Sequence, residues 1–272
     1  MDAKLQRRIQ RYGWDRAADH YELAWKDQLE PAQTRMLALA AIRPGDRVLD
    51  IACGTGLVTF RAAEMTGSTG RAVGLDISGE MVGRARERAA EFRLANVSFE
   101  RAGAEELPME DDSFDVALSA LGLMYVPDPA VAVAQMRRIL RKGGTAAVAV
   151  WGQREHCGWA GIFPIVDARV KTEVCPLFFG LGTGDSLRKT FERAGFERVV
   201  SERFSTILRY ESSPEALGAA FAGGPVALAY SRFDPATREE AHAEYLESIS
   251  RFRDADGRYE IPGEFVAVSG IK

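Results

Sequence analysis

The sequence predicts an α/β fold built on an open, mostly parallel sheet. Short apolar segments alternate with segments of helical period over residues 47–151, which is typical of right-handed βαβ units. A turn, Gly54-Thr55-Gly56, joins the first strand of this region to a helix, and Asp76 ends the second strand. Because ligands of such sheets bind at the carboxyl ends of the strands, these residues predict a ligand site there.

Composition limits the classes of function. The chain has 272 residues and is 46% hydrophobic, enough for a full core, and we expect a single domain over 1–272. Its 35 basic and 39 acidic residues are spread along the chain, so no basic stripe indicates a nucleic-acid partner. Three cysteines cannot all pair, and no apolar segment predicts a signal peptide or a membrane span. We therefore expect a soluble, cytoplasmic protein.

The first predicted element is a helical cap over residues 1–42, where aromatic and aliphatic residues recur among charges at helical spacing. The elements predicted next are strand 47–51, helix 56–66, strand 71–76, helix 79–94, strands 97–102 and 114–120, helix 128–141 and strand 144–151.

The last third of the chain has a weaker pattern. Residues 152–195 carry aromatic residues interrupted by glycine and proline, which indicates a lid rather than a strand. Residues 196–211 predict one long strand or two short ones, and residues 265–268 a final strand. Two helices are expected over 214–251, the second capped by Asp234 and started by Pro235.

The glycine turn has more than one interpretation. Glycine lets a ligand approach the backbone, but an ordinary strand-to-helix connection also uses it. A dinucleotide-binding turn would place a third glycine where Thr59 stands, so a nicotinamide cofactor is disfavoured. Asp76 follows the turn by about 20 residues, where an acid can accept both hydroxyls of a ribose. Its alternative role is a helix N-cap, for which Ser78 is at least as suitable.

Five ordered segments resemble the class I S-adenosylmethionine-dependent methyltransferases, in the branch of the ubiquinone/menaquinone C-methyltransferases and related small-molecule enzymes. They are Val48–Gly56, Asp76, Ala104–Pro108, Ser113–Asp115 and Leu140–Gly144. The resemblance implies a Rossmann-like sheet of seven strands with an antiparallel last strand, a helical cap at 1–42, a cofactor-binding core at 43–151, and lid insertions and terminal strands at 152–272. It also implies S-adenosylmethionine as cofactor.

The same resemblance implies a set of cofactor-binding residues. They are Tyr21, Asp50, Ala52, Cys53, Gly54, Thr55, Gly56, Asp76, Ile77, Met81, Gly103, Ala104, Glu105 and Ser119. Two positions depart from the family pattern. Ala52 replaces a glycine, which we expect to be tolerated if its φ is negative. Gly103 replaces an Asp or Asn, so adenine recognition is expected to rest on the backbone around Ala104.

Methyl transfer from a sulfonium is an in-line displacement, so alignment in a dry pocket can suffice without an obligatory catalytic motif. If a base is needed, His156 is the preferred candidate because it follows the fifth strand; a surface role is the alternative. No metal-ligand spacing is present, so no metal is expected. An apolar acceptor pocket, or plain core packing, is predicted for Trp25, Tyr125, Trp151, Trp159, Phe163, Phe178 and Phe179.

The predicted function is methyl transfer from S-adenosylmethionine to a small, apolar or aromatic acceptor, at oxygen, nitrogen or carbon. The alternatives are a regulatory protein that binds the cofactor without transfer, and an NAD-dependent oxidoreductase. No nucleic-acid partner and no integral membrane association are expected. The oligomeric state is left open, with a homodimer as one option.

Overall fold

The computed structural model describes residues 3–170 and 177–272. Its centre is a sheet of seven strands in the order β3-β2-β1-β4-β5-β7-β6. The strands are β1 Arg47–Ile51, β2 Arg71–Asp76, β3 Val97–Arg101, β4 Phe114–Ala120, β5 Leu140–Trp151, β6 Glu197–Tyr210 and β7 Tyr259–Ile271.

Strand directions confirm the predicted fold class. β1 pairs in parallel with β2 and β4, β2 with β3, and β4 with β5, whereas β7 runs antiparallel to both β5 and β6. The sheet is therefore mostly parallel with an antiparallel last strand. The chain leaves β1 toward β2 on one side, and β4 lies on the other side, so β1 marks the point at which strand order reverses. Open α/β sheets bind ligands at that point.

Helices cover the sheet. They are α1 Ala3–Ala40, α2 Leu57–Thr66, α3 Gly79–Glu91, α4 Pro129–Ile139, α5 Ile162–Asp167, α6 Ser186–Arg193, α7 Ser213–Leu217, α8 Ala227–Tyr230 and α9 Pro235–Ser248. Asp234 caps α9 as predicted, since its carboxylate accepts from the Thr237 N–H at 2.8 Å. Ser78 caps α3, because its Oγ accepts from the Met81 N–H at 3.1 Å.

The predicted helical cap is one helix of 38 residues, α1. Trp25, Leu29 and Met36 are buried and join the main hydrophobic core, whereas Leu23 on another face is 89% exposed. Burial on one side of the helix is what anchors it on the sheet, because helix stability in proteins comes mostly from packing of an apolar face.

Strand β7 is much longer than the predicted 265–268. Glycine and proline interrupt its sequence pattern. A Cβ on Gly270 would lie 2.8 Å from Phe196, and a Cβ on Gly263 would lie 2.9 Å from Leu208. Pro262 lies in the part of β7 that pairs with β6 alone, so its missing N–H removes no bond to β5. These residues weaken the strand pattern while allowing close packing.

The first of the two helices predicted over 214–251 is broken. α7 runs into a π-helical turn at Gly218–Ala222, and α8 follows after Gly223 and Gly224. A Cβ on Gly223 would lie 2.6 Å from the Ala24 Cβ, so contact with α1 requires glycine there. The predicted strand at 196–211 is a single strand, β6.

Parallel strands of the core are buried on both faces, as a sheet covered by helices on each side requires. Within 3–170 and 177–272, none of the helices combines the length and apolar character needed to cross a bilayer.

Candidate functional site

A cleft opens at the carboxyl ends of β1, β2 and β4. Loops after β1, β2, β3 and β4 form one side, and α1 supplies the other. The lining residues are Arg7, Gln10, Trp14, Tyr21, Ala52, Gly54, Asp76, Ile77, Met81, Ala102, Gly103, Ala104, Glu105, Ala120, Leu121, Gly122, Tyr125, Val126 and Pro127.

The turn after β1 requires glycine at Gly54 and Gly56. Their φ angles are +55° and +88°, in the left-handed region that side chains disfavour. A Cβ on Gly56 would also lie 2.8 Å from the Phe99 ring and 2.9 Å from the Phe60 ring. The turn is therefore tight against α2, with its backbone turned toward the cleft.

Ala52 does not meet the condition expected from the sequence. Its φ is +58°, not negative, so the residue adopts the left-handed conformation that alanine rarely takes. Its methyl group fits because the facing residue is Gly122: a Cβ there would lie 2.4 Å from the Ala52 Cβ. The departure from the family pattern is thus compensated on the β4 side of the cleft.

Asp76 is the buried acid of the cleft. Its Oδ2 accepts from the Gly54 N–H at 2.8 Å, and its Oδ1 from the Ser78 N–H at 2.8 Å. Burial raises the pKa of Asp76 to about 6, against the lowering effect of these two N–H groups. The carboxylate therefore ties the turn after β1 to the turn after β2 and faces the cleft between them.

Asp50 explains why Thr59 stands where a dinucleotide fold would have glycine. The Thr59 hydroxyl donates to Asp50 Oδ2 at 2.6 Å, inside the core. Burial raises the pKa of Asp50 to about 7, although the bond from Thr59 lowers it. The threonine thus orients an acid behind the cleft.

Contacts from α1 hold this helix over the cleft. The Ser78 hydroxyl donates to Asp15 Oδ1 at 2.6 Å, and Arg88 of α3 forms an ion pair with Glu22. Arg7 forms an ion pair with Glu105 in the loop after β3. These contacts span both ends of the cleft, so α1 serves as its wall as well as a cap on the sheet.

Nine of the fourteen predicted cofactor residues line the cleft: Tyr21, Ala52, Gly54, Asp76, Ile77, Met81, Gly103, Ala104 and Glu105. The structure places the other five behind the wall: Asp50, Cys53, Thr55, Gly56 and Ser119. Cys53 packs with Val82, Ala85 and Phe99.

At the end of β4 the exposed small residue is Ala120 rather than Ser119. Ser119 is fully buried, and its Oγ lies 3.0 Å from where a Gly122 Cβ would stand. At the end of the cleft formed by the loop after β3, a Cβ on Gly103 would meet nothing within 4 Å. That end of the cleft is open, and backbone groups of Gly103 and Ala104 border it.

The residues present fit S-adenosylmethionine. Each oxygen of Asp76 has accepted one N–H and keeps a free lone pair, so the carboxylate can accept two ribose hydroxyls. Three buried atoms around the turn, Asp50 Oδ1, Thr55 Oγ1 and Ser119 Oγ, have no partner among the described residues. These three residues lie behind the wall of the cleft, so the fit to the cofactor rests on Asp76.

A second cavity adjoins the cleft. Trp14, Tyr21, Leu121 and Tyr125 line both spaces, so the two adjoin. The remaining residues that line the second cavity are Trp25, Leu29, Met124, Trp151, Trp159, Phe178, Gly224 and Pro225.

Five of the seven predicted pocket aromatics line this cavity: Trp25, Tyr125, Trp151, Trp159 and Phe178. Phe163 and Phe179 lie one layer out, with their rings 4.7 and 4.8 Å from that of Phe178. Sequence reasoning missed Trp14, whose ring is 5.1 Å from that of Tyr125. Its helical spacing with Tyr21 was the available signal, since seven residues are about two turns.

The structure does not bring His156 to the cleft or to the second cavity. Its side chain is 53% exposed, and its Nδ1 lies 2.7 Å from Glu264 Oε2. Glu264 is buried and also accepts from the Gln153 N–H at 2.9 Å and from the Arg203 guanidinium. Burial opposes ionisation of Glu264, but these donors outweigh it and lower its pKa. His156 therefore serves an ion-pair cluster beside β7.

No group of three or more metal-ligating side chains is found within the described ranges. Cys53 and Cys157 are buried free thiols, and burial raises the pKa of both. Cys175 lies outside the described residues.

Comparison with known proteins finds similarity to methyltransferases. A family profile described as a methyltransferase domain matches residues 42–167. The chain is 42% identical over 129 residues to a ubiquinone/menaquinone biosynthesis C-methyltransferase of Rhizobium etli, covering 46% of each chain. It is 37% identical over 135 residues to an uncharacterised protein of Mycobacterium tuberculosis, covering 50% of this chain and 48% of that one. The chain thus spans about half the length of these relatives.

The fold is shared with the YcgJ protein of Bacillus subtilis, with a TM-score of 0.63 at 20% identity over 89% of this chain and 98% of that one. The matched region contains the turn after β1, Asp76 and the end of β4. Residues 42–167 therefore match a methyltransferase domain, in agreement with the resemblance found in the sequence.

Proposed function

We propose that this protein transfers a methyl group from S-adenosylmethionine to a small apolar or aromatic acceptor held in the second cavity. The observation that carries the proposal is that the two spaces adjoin. The cleft and the second cavity, called the aromatic cavity below, share Trp14, Tyr21, Leu121 and Tyr125 as walls. A donor in one and an acceptor in the other would meet at this junction.

Bound in the cleft, S-adenosylmethionine supplies an electrophilic methyl group on a sulfonium. Asp76 would hold the ribose, and backbone groups of Gly54, Gly103 and Ala104 would border the rest of the cofactor. The aromatic walls at the junction exclude water, which favours a displacement in which charge on sulfur is lost. Alignment in a dry cavity supplies most of the rate enhancement.

Neither His156 nor another histidine lines the two spaces within the described residues. We therefore propose that transfer depends on positioning rather than on a histidine base. Tyr21 and Tyr125 are the phenols at the junction, and burial strongly raises the pKa of Tyr21, so its phenol stays protonated at neutral pH.

The test has two steps. Calorimetric titration with S-adenosylhomocysteine measures cofactor binding, and tritium transfer from methyl-labelled S-adenosylmethionine to a panel of small aromatic acceptors measures activity. Saturable binding and label transfer that both weaken in Asp76→Ala support the proposal. Tight binding without transfer to any acceptor would instead indicate a protein that binds the cofactor without using it. Absence of binding would contradict the proposal altogether.

A further inference from the structure

Two buried hydrogen-bond donors stand unpaired in the aromatic cavity. The Nε1 atoms of Trp25 and Trp159 have no partner among the described residues, although Trp25 is only 7% exposed and Trp159 only 4%. Leaving a buried N–H unpaired costs about 1–3 kcal/mol, so proteins rarely keep such donors without a use. Both rings line the same cavity.

The surroundings of these two rings are apolar. Trp25 and Trp159 pack edge to face, with ring centroids 6.1 Å apart, and Trp151 contacts both, at 6.2 and 4.8 Å. The described residues that line the cavity include no charged side chain. Gly224 forms part of the wall, and a Cβ there would lie 3.8 Å from Trp25 Nε1. The donor therefore lies next to a wall that has no side chain.

We infer that the acceptor molecule is a neutral apolar compound that carries an oxygen, and that the indole N–H groups of Trp25 and Trp159 recognise that oxygen. This inference rests on the proposed function and specifies its substrate class. An indole N–H donates and cannot accept, so the matching group is a carbonyl, ether or hydroxyl oxygen. A carboxylate or phosphate would lose its hydration in this cavity without a cation to pair with.

A cationic amine is the competing occupant, because aromatic faces attract cations. The two N–H groups argue against it, since each presents the positive end of its dipole and can form no hydrogen bond to an ammonium group. Tetramethylammonium is therefore included as a probe of that alternative.

The experiment compares two neutral probes of one skeleton, 1-tetralone and tetralin, which differ in a carbonyl oxygen. Binding to the full chain is followed by NMR on protein with ¹⁵N-labelled tryptophan, with and without S-adenosylhomocysteine. The four tryptophans give four indole resonances, assigned with single Trp→Phe variants. We expect 1-tetralone, but not tetralin, to move the Trp25 and Trp159 N–H resonances downfield.

Affinity provides the second readout. The ratio of the tetralin Kd to the tetralone Kd is measured within each variant, so that a change in cavity volume affects both ligands. Trp25→Phe and Trp159→Phe should each lower this ratio by about fivefold, the value of one neutral hydrogen bond. Phe178→Leu is the matched control: Phe178 lines the same cavity and carries no N–H group, so the ratio should stay near that of the wild type.

The inference is overturned if 1-tetralone moves neither indole resonance, if all three variants lower the ratio equally, or if tetramethylammonium binds more tightly than 1-tetralone. Each of these results is compatible with binding of S-adenosylhomocysteine in the cleft, so it would leave the proposed transfer reaction intact. Failure of the proposed function is seen separately, as an absence of cofactor binding by calorimetry.

Discussion

The Ala52 methyl group occupies the space that a side chain on Gly122 would need, since a Cβ on Gly122 would lie 2.4 Å from the Ala52 Cβ. The two residues come from the loops after β1 and β4 and meet in the wall of the cleft. Alanine at position 52 has a φ of +58°, so the site accepts backbone strain as well as an extra methyl group. Glycine at position 122 is what makes the alanine possible.

This pair predicts a coupled effect on stability. Gly122→Ala should lower the free energy of unfolding by about 1–3 kcal/mol, because the added methyl overpacks against Ala52. In an Ala52→Gly background the same substitution should cost clearly less, although the Ser119 hydroxyl still lies 3.0 Å from the new Cβ. Urea unfolding of the four proteins in a double-mutant cycle measures the coupling. Additive effects of the two substitutions would contradict contact between the residues.

Substitution of Asp76 is expected to reduce the affinity for the cofactor. Asp76→Ala should weaken binding of S-adenosylhomocysteine by about 1–3 kcal/mol, because charge-assisted bonds to the ribose are lost. Calorimetry at neutral pH measures this. Asp27→Ala removes an exposed acid of α1 with the same change of net charge and serves as the control. Equal affinities for the wild type and Asp76→Ala would remove Asp76 from the binding site.

The raised pKa of Asp76 predicts that cofactor binding depends on pH. Only the carboxylate accepts both hydroxyls, and its pKa in the free protein is about 6. Affinity should therefore be nearly constant above pH 7 and fall by about tenfold between pH 7 and pH 5, as protons compete for the oxygens. Calorimetry across this range tests it. If the decline persists in Asp76→Asn, it belongs to another group, for which Asp50, with a pKa of about 7, is the first candidate.

The contacts of Glu264 with His156, Arg203 and the Gln153 N–H predict that loss of Glu264 destabilises the protein more than loss of His156. Glu264→Ala should lower the free energy of unfolding by about 2–3 kcal/mol, because Arg203 and the Gln153 N–H both lose their acceptor. His156→Ala should cost less than about 1 kcal/mol, since its ring is half exposed and Glu264 keeps its other donors. Denaturant unfolding of both variants measures the difference. Equal losses in the free energy of unfolding would show that the bond to His156 accounts for the stabilising effect of Glu264.

The lowered pKa of Glu264 predicts how its contribution to stability changes with pH. A carboxyl whose pKa is depressed on folding stabilises the protein above its unfolded pKa and loses that effect as pH falls through the folded value. The difference in stability between the wild type and Glu264→Ala should therefore shrink on acidification below the ordinary pKa of glutamate. A difference that stays constant to low pH would assign the effect to packing alone.

Local patterns in the sequence were enough to predict the strands of the parallel half of the sheet. β1, β2 and β4 have continuous apolar runs because both faces are covered, and their bounds match the predicted strands. β7 was largely missed because Gly263, Gly270 and Pro262 interrupt its pattern for reasons of packing against β6. These packing contacts join residues that are distant in the chain, so the periodicity of one segment cannot reveal them.

The sequence by itself determined the fold class and the glycine turn after β1, because spacing along a strand–turn–helix unit is local. Only the tertiary structure decided which side chains line the cleft. Ser119 and Ala120 are neighbours in sequence, yet one is sealed behind the wall and the other lines the cleft. Ala52 against Gly122, Trp14 at the junction and His156 on Glu264 each depend on contacts between distant segments. Those contacts form only when the chain packs, because burial is a property of the assembled layers and not of any one segment.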